Sequence, residues 1–166
     1  MTSPDEIIDW ILEREGPGTP PDYLAKDDAG GRTHHGISER AHPAEWKNGP
    51  PTKARCRVIY FETYVQPFDA IPDRYEKLRV CAIDDGVMRG VNTAIKRLQW
   101  VLGAKMDGVI GPETLARIVL RRPNELLQAH VIERCVRLCR IVQARPSAAT
   151  FIAGWVTRAL SFLPQA

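Results

Sequence analysis

At 166 residues the chain has room for one real core, or for one compact domain with a minor lobe. Its 44% apolar and 26% charged residues are ordinary for a soluble globular protein, and no apolar run reaches the length that would cross a membrane. The net charge of +3 hides an uneven spread: residues 1–80 carry 14 acidic against 11 basic side chains, residues 81–166 only 6 against 12, so the back half is expected to lean on an anionic polymer.

The first predicted helix opens at Ser3-Pro4-Asp5-Glu6, where a capping residue, a first-turn proline and two acids suit a helix N-terminus. Ile7, Ile8, Trp10, Ile11 and Leu12 give it an apolar face, and Gly16-Pro17 stops it just after Glu15. From Gly16 to Gly36 the composition is that of a loop, with a short hairpin expected around Gly30-Gly31. A short helix or turn is expected from His34 to Trp46, broken by Pro43. A helix then carries Ala54, Val58, Ile59, Phe61 and Tyr64 up to Pro67. Val80 to Leu102 reads as a long helix with an interruption near Gly90, closed by Gly103. Lys105 to Pro112 is a tight loop and Glu113 to Leu120 a short helix. Pro123 opens a helix with Leu126, Leu127, Val131, Cys135, Leu138 and Val142 at three- and four-residue spacing, and a last amphipathic helix covers Phe151 to Phe162. The fold class that follows is mainly α, with at most a small β-hairpin near the loop after Glu15.

The four cysteines, Cys56, Cys81, Cys135 and Cys139, do not make a disulfide framework, and they read as reduced, mostly buried thiols. The opening MTSPDEIIDW lacks the basic run of a signal peptide, so synthesis and folding in a cytoplasm are expected.

The densest group of chemistry-bearing residues runs from Ile11 to Ser38. Glu15, one helical turn past Ile11 and Leu12, is placed where an apolar wall can raise a carboxylic acid's pKa enough to keep it protonated near neutral pH. Such an acid can serve as a general acid in a cleft, with a second polar group facing it to stabilise developing charge or activate water. Asp28 and Asp27 are both candidates for that second group, and Thr33 is a candidate to orient water or substrate. His34 and His35 are expected in the substrate cleft rather than around one metal ion, because adjacent residues of a strand point to opposite faces. Tyr64, with Tyr60 and Trp46, is a candidate for stacking on a substrate ring, whereas Trp155 reads as core. Gln99, Asp107 and Thr114 are candidates for substrate contacts.

Four ordered segments carry a resemblance to glycoside hydrolase family 108, the lysozyme-like muramidases that end in a peptidoglycan-binding region. ILEREG is similar to the family's opening helix, which ends in Glu-Gly-Gly with the Glu catalytic. DAGGRTHHGIS resembles its Asp-Pro-Gly-Gly-x-Thr-Asn-x-Gly-Ile-Thr turn. AIKRLQWVLGAKMDGVIGPETL resembles the segment where Leu-Gln precedes Asp-Gly-x-Ile-Gly-Pro-x-Thr-Leu, and ATFIAGWVTRA resembles the closing helix. The chain departs from the pattern at Pro17, at His34 and at Met88, the last two standing where the family has Asn. The resemblance implies a catalytic part over residues 1–80 and a helical, peptidoglycan-binding-like part over 81–166, packed as one unit. It implies hydrolysis of the β-1,4 bond between N-acetylmuramic acid and N-acetylglucosamine, with Glu15 as general acid assisted by Asp28 and Thr33. It calls for no cofactor and no metal, for bacterial peptidoglycan as partner, and for a monomer with no nucleic acid and no membrane insertion. Without a signal peptide, such an enzyme is expected to reach the wall through a holin pore or on a virion. Two other readings stay open on the sequence: a peptidoglycan-binding module without activity, and a basic helical nucleic-acid-binding protein built on the Arg-rich stretch from Arg117 to Arg145.

Overall fold

The computed structural model describes residues 3–15 and 32–164. Among them the protein is mainly α, with seven α-helices and one two-stranded antiparallel hairpin. Two units emerge, Thr2–Gln66 and Pro67–Ala166.

In the first unit, α1 spans Pro4–Glu15. Ser3 and Glu6 close a reciprocal capping box: the Ser3 hydroxyl accepts from the Glu6 N–H at 3.2 Å, and the Ser3 N–H donates to the Glu6 carboxylate at 2.5 Å. Ile7, Ile8 and Ile11 are buried, which fixes the face that α1 turns inward. Arg57, on α2 (Lys53–Tyr60), bonds Asp9 and the Asp5 carboxylate of α1, the latter at 2.7 Å. Thr52 caps α2 by accepting from the Arg55 N–H. One wide π turn, Phe61–Val65, then prolongs α2 and carries Tyr64.

The hairpin pairs β1 (Thr33–His34) with β2 (Ile37–Ser38), Thr33 opposite Ser38 and His34 opposite Ile37. Its turn is His35-Gly36, with φ of 45° and 76°; two positive values suit the right-handed twist of a tight hairpin. Gly30 and Gly31, where the turn is expected from sequence, lie outside the described residues. Gly36 is required for a second reason, because a Cβ there would collide with the Tyr60 hydroxyl. Gly36→Ala is therefore expected to cost about 1–3 kcal/mol and to lower Tm by several degrees in a thermal melt. An unchanged Tm would mean that the Tyr60 side chain gives way freely.

The second unit starts with 3₁₀ turns at Gln66–Phe68 and Asp73–Tyr75 and continues into α3 (Glu76–Arg89). The long helix expected from Val80 to Leu102 is two helices. Gly90, at φ 87° and ψ 137°, takes a conformation no helix contains, so α4 (Val91–Leu102) folds back to pack on α3. Then come α5 (Pro112–Val119), α6 (Pro123–Ala144) and α7 (Ala149–Leu160), with α6 packed on α3, α4 and α7. Cys81, Leu127 and Val131 form a core, joined by part-buried Cys135, Phe162 and Leu163. Of the thiols, Cys56 and Cys81 are buried, but Cys139 is exposed, one turn beyond part-buried Cys135 and on the solvent side of α6. Burial pushes the Cys81 thiol up to about 12, which makes it an inert packing group.

Candidate active site

Glu15 is the last residue of α1, one helical turn past Ile11, which is wholly buried. The helix ends at this position, past its buried face of Ile7, Ile8 and Ile11, and Gly16 follows at once in the sequence. The side chains of Glu15 and Thr33 and the whole of Asp27 and Asp28 lie outside the described residues. The backbone of Thr33 opens β1.

His34 is held within the first unit. Its Nδ1 lies 2.8 Å from the Pro51 carbonyl oxygen, and the Cys56 thiol approaches the carbonyls of His34 and Pro51. His35 is exposed at the turn, its pKa lowered by desolvation first and then by His34 and Lys53. The left-handed backbone at His35 swings its ring back toward His34, so the two rings meet edge to face at 4.3 Å instead of pointing apart as strand neighbours would. No group of three His, Cys, Asp or Glu among the described residues could hold a metal. Tyr64 packs its ring 5.5 Å from that of Tyr60, which is itself buried, as is Trp46.

Gln99 and Asp107 come together in the second unit, where they fasten a loop. The buried Gln99 amide donates to the Asp107 carboxylate at 2.7 Å and the Val109 carbonyl at 2.9 Å, with the Thr114 hydroxyl at 3.2 Å; its oxygen accepts from the Gly108 N–H. Asp107 also accepts from the Val109 N–H, and these bonds hold its carboxyl below the usual range. The Asp-Gly-x-Ile-Gly-Pro pattern thus reads as a turn pinned from α4, with the amide's hydrogen bonds satisfied inside the chain.

What sequence reasoning missed is a buried charge cluster. Asp84 and Asp85 sit adjacent on α3 and both are buried. Arg134 on α6 reaches Asp84 at 2.5 Å, and Arg158 on α7 reaches the other Asp84 oxygen at 2.7 Å. Arg97 on α4 pairs with Asp85. Met88 presents its sulfur to Arg134 at 3.3 Å. Part of the basic excess of the back half is thus turned inward onto two acids instead of outward to a polymer. The only signal in the sequence is an acid pair inside an apolar stretch, CAIDDGVM, on a helix.

His130 lies on the same inner face of α6, fully buried, with neither ring nitrogen hydrogen-bonded among the described residues. Burial, reinforced by Arg97 and Arg134, pulls its pKa down to about 3 from 6.5. The unfolded chain therefore takes up a proton as pH drops below about 6.5 that the folded chain refuses until about 3, and stability falls across that window at up to about 1.4 kcal/mol per pH unit. Above pH 6.5 the effect is absent. His130→Leu should give a visibly shallower acid limb of Tm against pH, and an identical limb would clear His130 of the role.

The comparisons with known proteins fit this layout. Residues 8–90, half of the chain and including Glu15, match the family Glycosyl hydrolase 108. The chain belongs to glycosyl hydrolase family 108. In this member, residues 93–160 match a second family, described as Predicted Peptidoglycan domain. The two matches meet at the Gly90 break between α3 and α4. No curated protein matches the sequence. Among solved structures the protein is similar to one titled "Structure of Brucella abortus SagA", at TM-score 0.68 and 23% identity, over 98% of this chain and 97% of that one. That likeness shows a shared fold. As a family 108 member with this second region, the protein is a glycoside hydrolase that acts on peptidoglycan.

Proposed function

We propose that the enzyme cleaves the β-1,4 bond between N-acetylmuramic acid and N-acetylglucosamine, with Glu15 as the general acid. The observation that carries this is the position of Glu15, which ends α1 one turn beyond buried Ile11, within the matched hydrolase segment. A carboxyl against an apolar wall keeps its proton near neutral pH and gives it to the departing sugar oxygen, while positive charge grows on the other sugar. Asp28 answers that charge or activates water, with Asp27 as the competing candidate, and Thr33 orients water or sugar. His35, exposed on the hairpin turn, His34 next to it, and Tyr64 on the π turn supply sugar contacts. Gln99 and Asp107 serve the peptidoglycan-binding part by holding the shape of its loop. The setting that suits such an enzyme is bacterial lysis by a phage, the protein leaving the cytoplasm through a holin pore or riding on a virion.

Mass analysis of fragments released from purified sacculi tests the assignment. Muramic acid at the new reducing ends, with one water added per cut, is the expected result. Glucosamine ends would reassign the bond. Ends closed on their own ring, with no water taken up, would replace hydrolysis by internal transfer.

A further inference from the structure

In the second unit Asp84, Asp85, Arg97 and Arg134 are buried and balance in charge, with Arg89 and Arg158 partly buried beside them. Four guanidinium groups, on Arg89, Arg97, Arg134 and Arg158, gather around the two carboxylates of Asp84 and Asp85. Asp84 is taken by Arg134 and Arg158, and Asp85 by Arg97 with Arg134 at 3.5 Å. Arg89 is left with no carboxylate partner among the described residues. Its pKa is lowered, by burial first; Asp85 offsets part of this, and the repulsion of Arg97, Arg134 and Arg145 adds to it.

The unpaired atoms have a defined geometry. Nε and Nη2 of Arg89 are both buried and both lack a hydrogen-bond partner among the described residues. Those two N–H groups form one edge of the guanidinium fork, the edge that grips both oxygens of a carboxylate in parallel bonds. The plane of the fork is fixed, because Arg89 stacks over the Trp155 ring at 4.3 Å, and Phe151 stacks on the same ring at 5.8 Å. A second, independent sign lies beside it. Nε of Arg97 and the one N–H of the neutral, wholly buried His130 are also without partners among the described residues, as is one Asp85 oxygen, 3.5 Å from Arg134. Buried donors left unmatched are costly unless an anion completes them. Arg89 and Trp155 are each partly exposed, and Phe151 beside them is exposed.

The geometry points to a carboxylate-binding site at the Nε/Nη2 edge of Arg89, backed by Arg97 and floored by Trp155, that takes a carboxylate of the cell-wall polymer. The claim deepens the peptidoglycan reading and rests on it only for the source of that carboxylate. Two sources share the chemistry, the lactyl group of muramic acid and the end of a wall peptide. Both hang from an uncharged body that the Trp155 and Phe151 faces can cover.

The test uses the full chain labelled with ¹⁵N-arginine, the Arg89 Nε–H signal being assigned by its loss in Arg89→Lys. N-acetylmuramic acid, D-alanyl-D-alanine, N-acetylglucosamine, sodium acetate and sodium chloride are titrated in turn. The expected result is a saturable downfield shift of the Arg89 signal with the first or the second ligand, which also identifies the source, and none with N-acetylglucosamine. Binding to sacculi should fall about tenfold in Arg89→Lys, since an ammonium keeps the charge but cannot form the fork. No shift with either wall carboxylate overturns the proposal, and so does a response to acetate and chloride only, an adventitious ion only. Reducing-end release is measured on the same preparation. Hydrolysis without a shift sinks this site alone, whereas a shift without hydrolysis keeps the site and sinks the Glu15 mechanism.

Discussion

Glu15→Gln is expected to stop clearing of outer-membrane-permeabilised cells, with a rate loss of about 10²–10⁴-fold or more, while the protein still sediments with sacculi. The amide is close in size to the carboxyl and can accept a hydrogen bond, but it has no acidic proton for the leaving oxygen. The position makes the substitution mild for the fold. Glu15 is the last residue of α1, past the buried Ile7, Ile8 and Ile11 that anchor the helix. Retained binding with lost lysis is thus the signature of a missing proton donor and not of an unfolded chain. Equal clearing by wild type and variant would remove Glu15 from the mechanism. Absence of clearing by both, with binding intact, would favour a wall-binding module that has lost its chemistry. The same assay ranks the second carboxylate, for which Asp28→Asn is expected to cost more activity than Asp27→Asn.

Local signals were legible in the sequence, and paired ones were not. Ser3 and Glu6 announce a capping box because both halves lie within one turn, and the box forms. Gly90 marks a break in an apolar run, although only its backbone angles show that the chain reverses there. Apolar periodicity placed α6 and most of its inner face, Leu126, Leu127, Val131 and Leu138, but missed His130 and Arg134 on that face. Leu126, His130, Arg134 and Leu138 point inward, whereas Cys135 and Val142 are only partly buried. An arginine or histidine in a helix reads as surface until its partner is known, and the partner of Arg134 is Asp84, 50 residues earlier. Gln99 and Asp107 stand out in the sequence as polar groups beside a glycine-bearing loop. Their bonds to each other depend on the loop closing back on α4, which spacing alone does not give.

Asp84 is the residue whose loss should cost the fold most. It accepts from Arg134 on α6 and Arg158 on α7 while sitting on α3, so one carboxylate ties three helices. Asp84→Ala leaves both guanidinium groups facing each other across a dry space, beside Arg89 and Arg97, and is expected to destabilise by about 3–5 kcal/mol. Against a typical total of about 5–15 kcal/mol, this is enough to leave a sizeable unfolded fraction at 37 °C. Truncating the arginines should not be symmetric. The Arg134 side chain is 1% exposed and that of Arg158 18%, so Arg158 can turn to water when its partner is lost and Arg134 cannot. The decisive comparison is a cycle of Asp84→Ala, Arg134→Met and the double variant in urea unfolding. Because each single change strands a buried charge and the double change removes both, the double variant should be destabilised by clearly less than the two singles added together. Strict additivity would show that the pair does not interact, and that the cost of Asp84→Ala comes from the space it vacates.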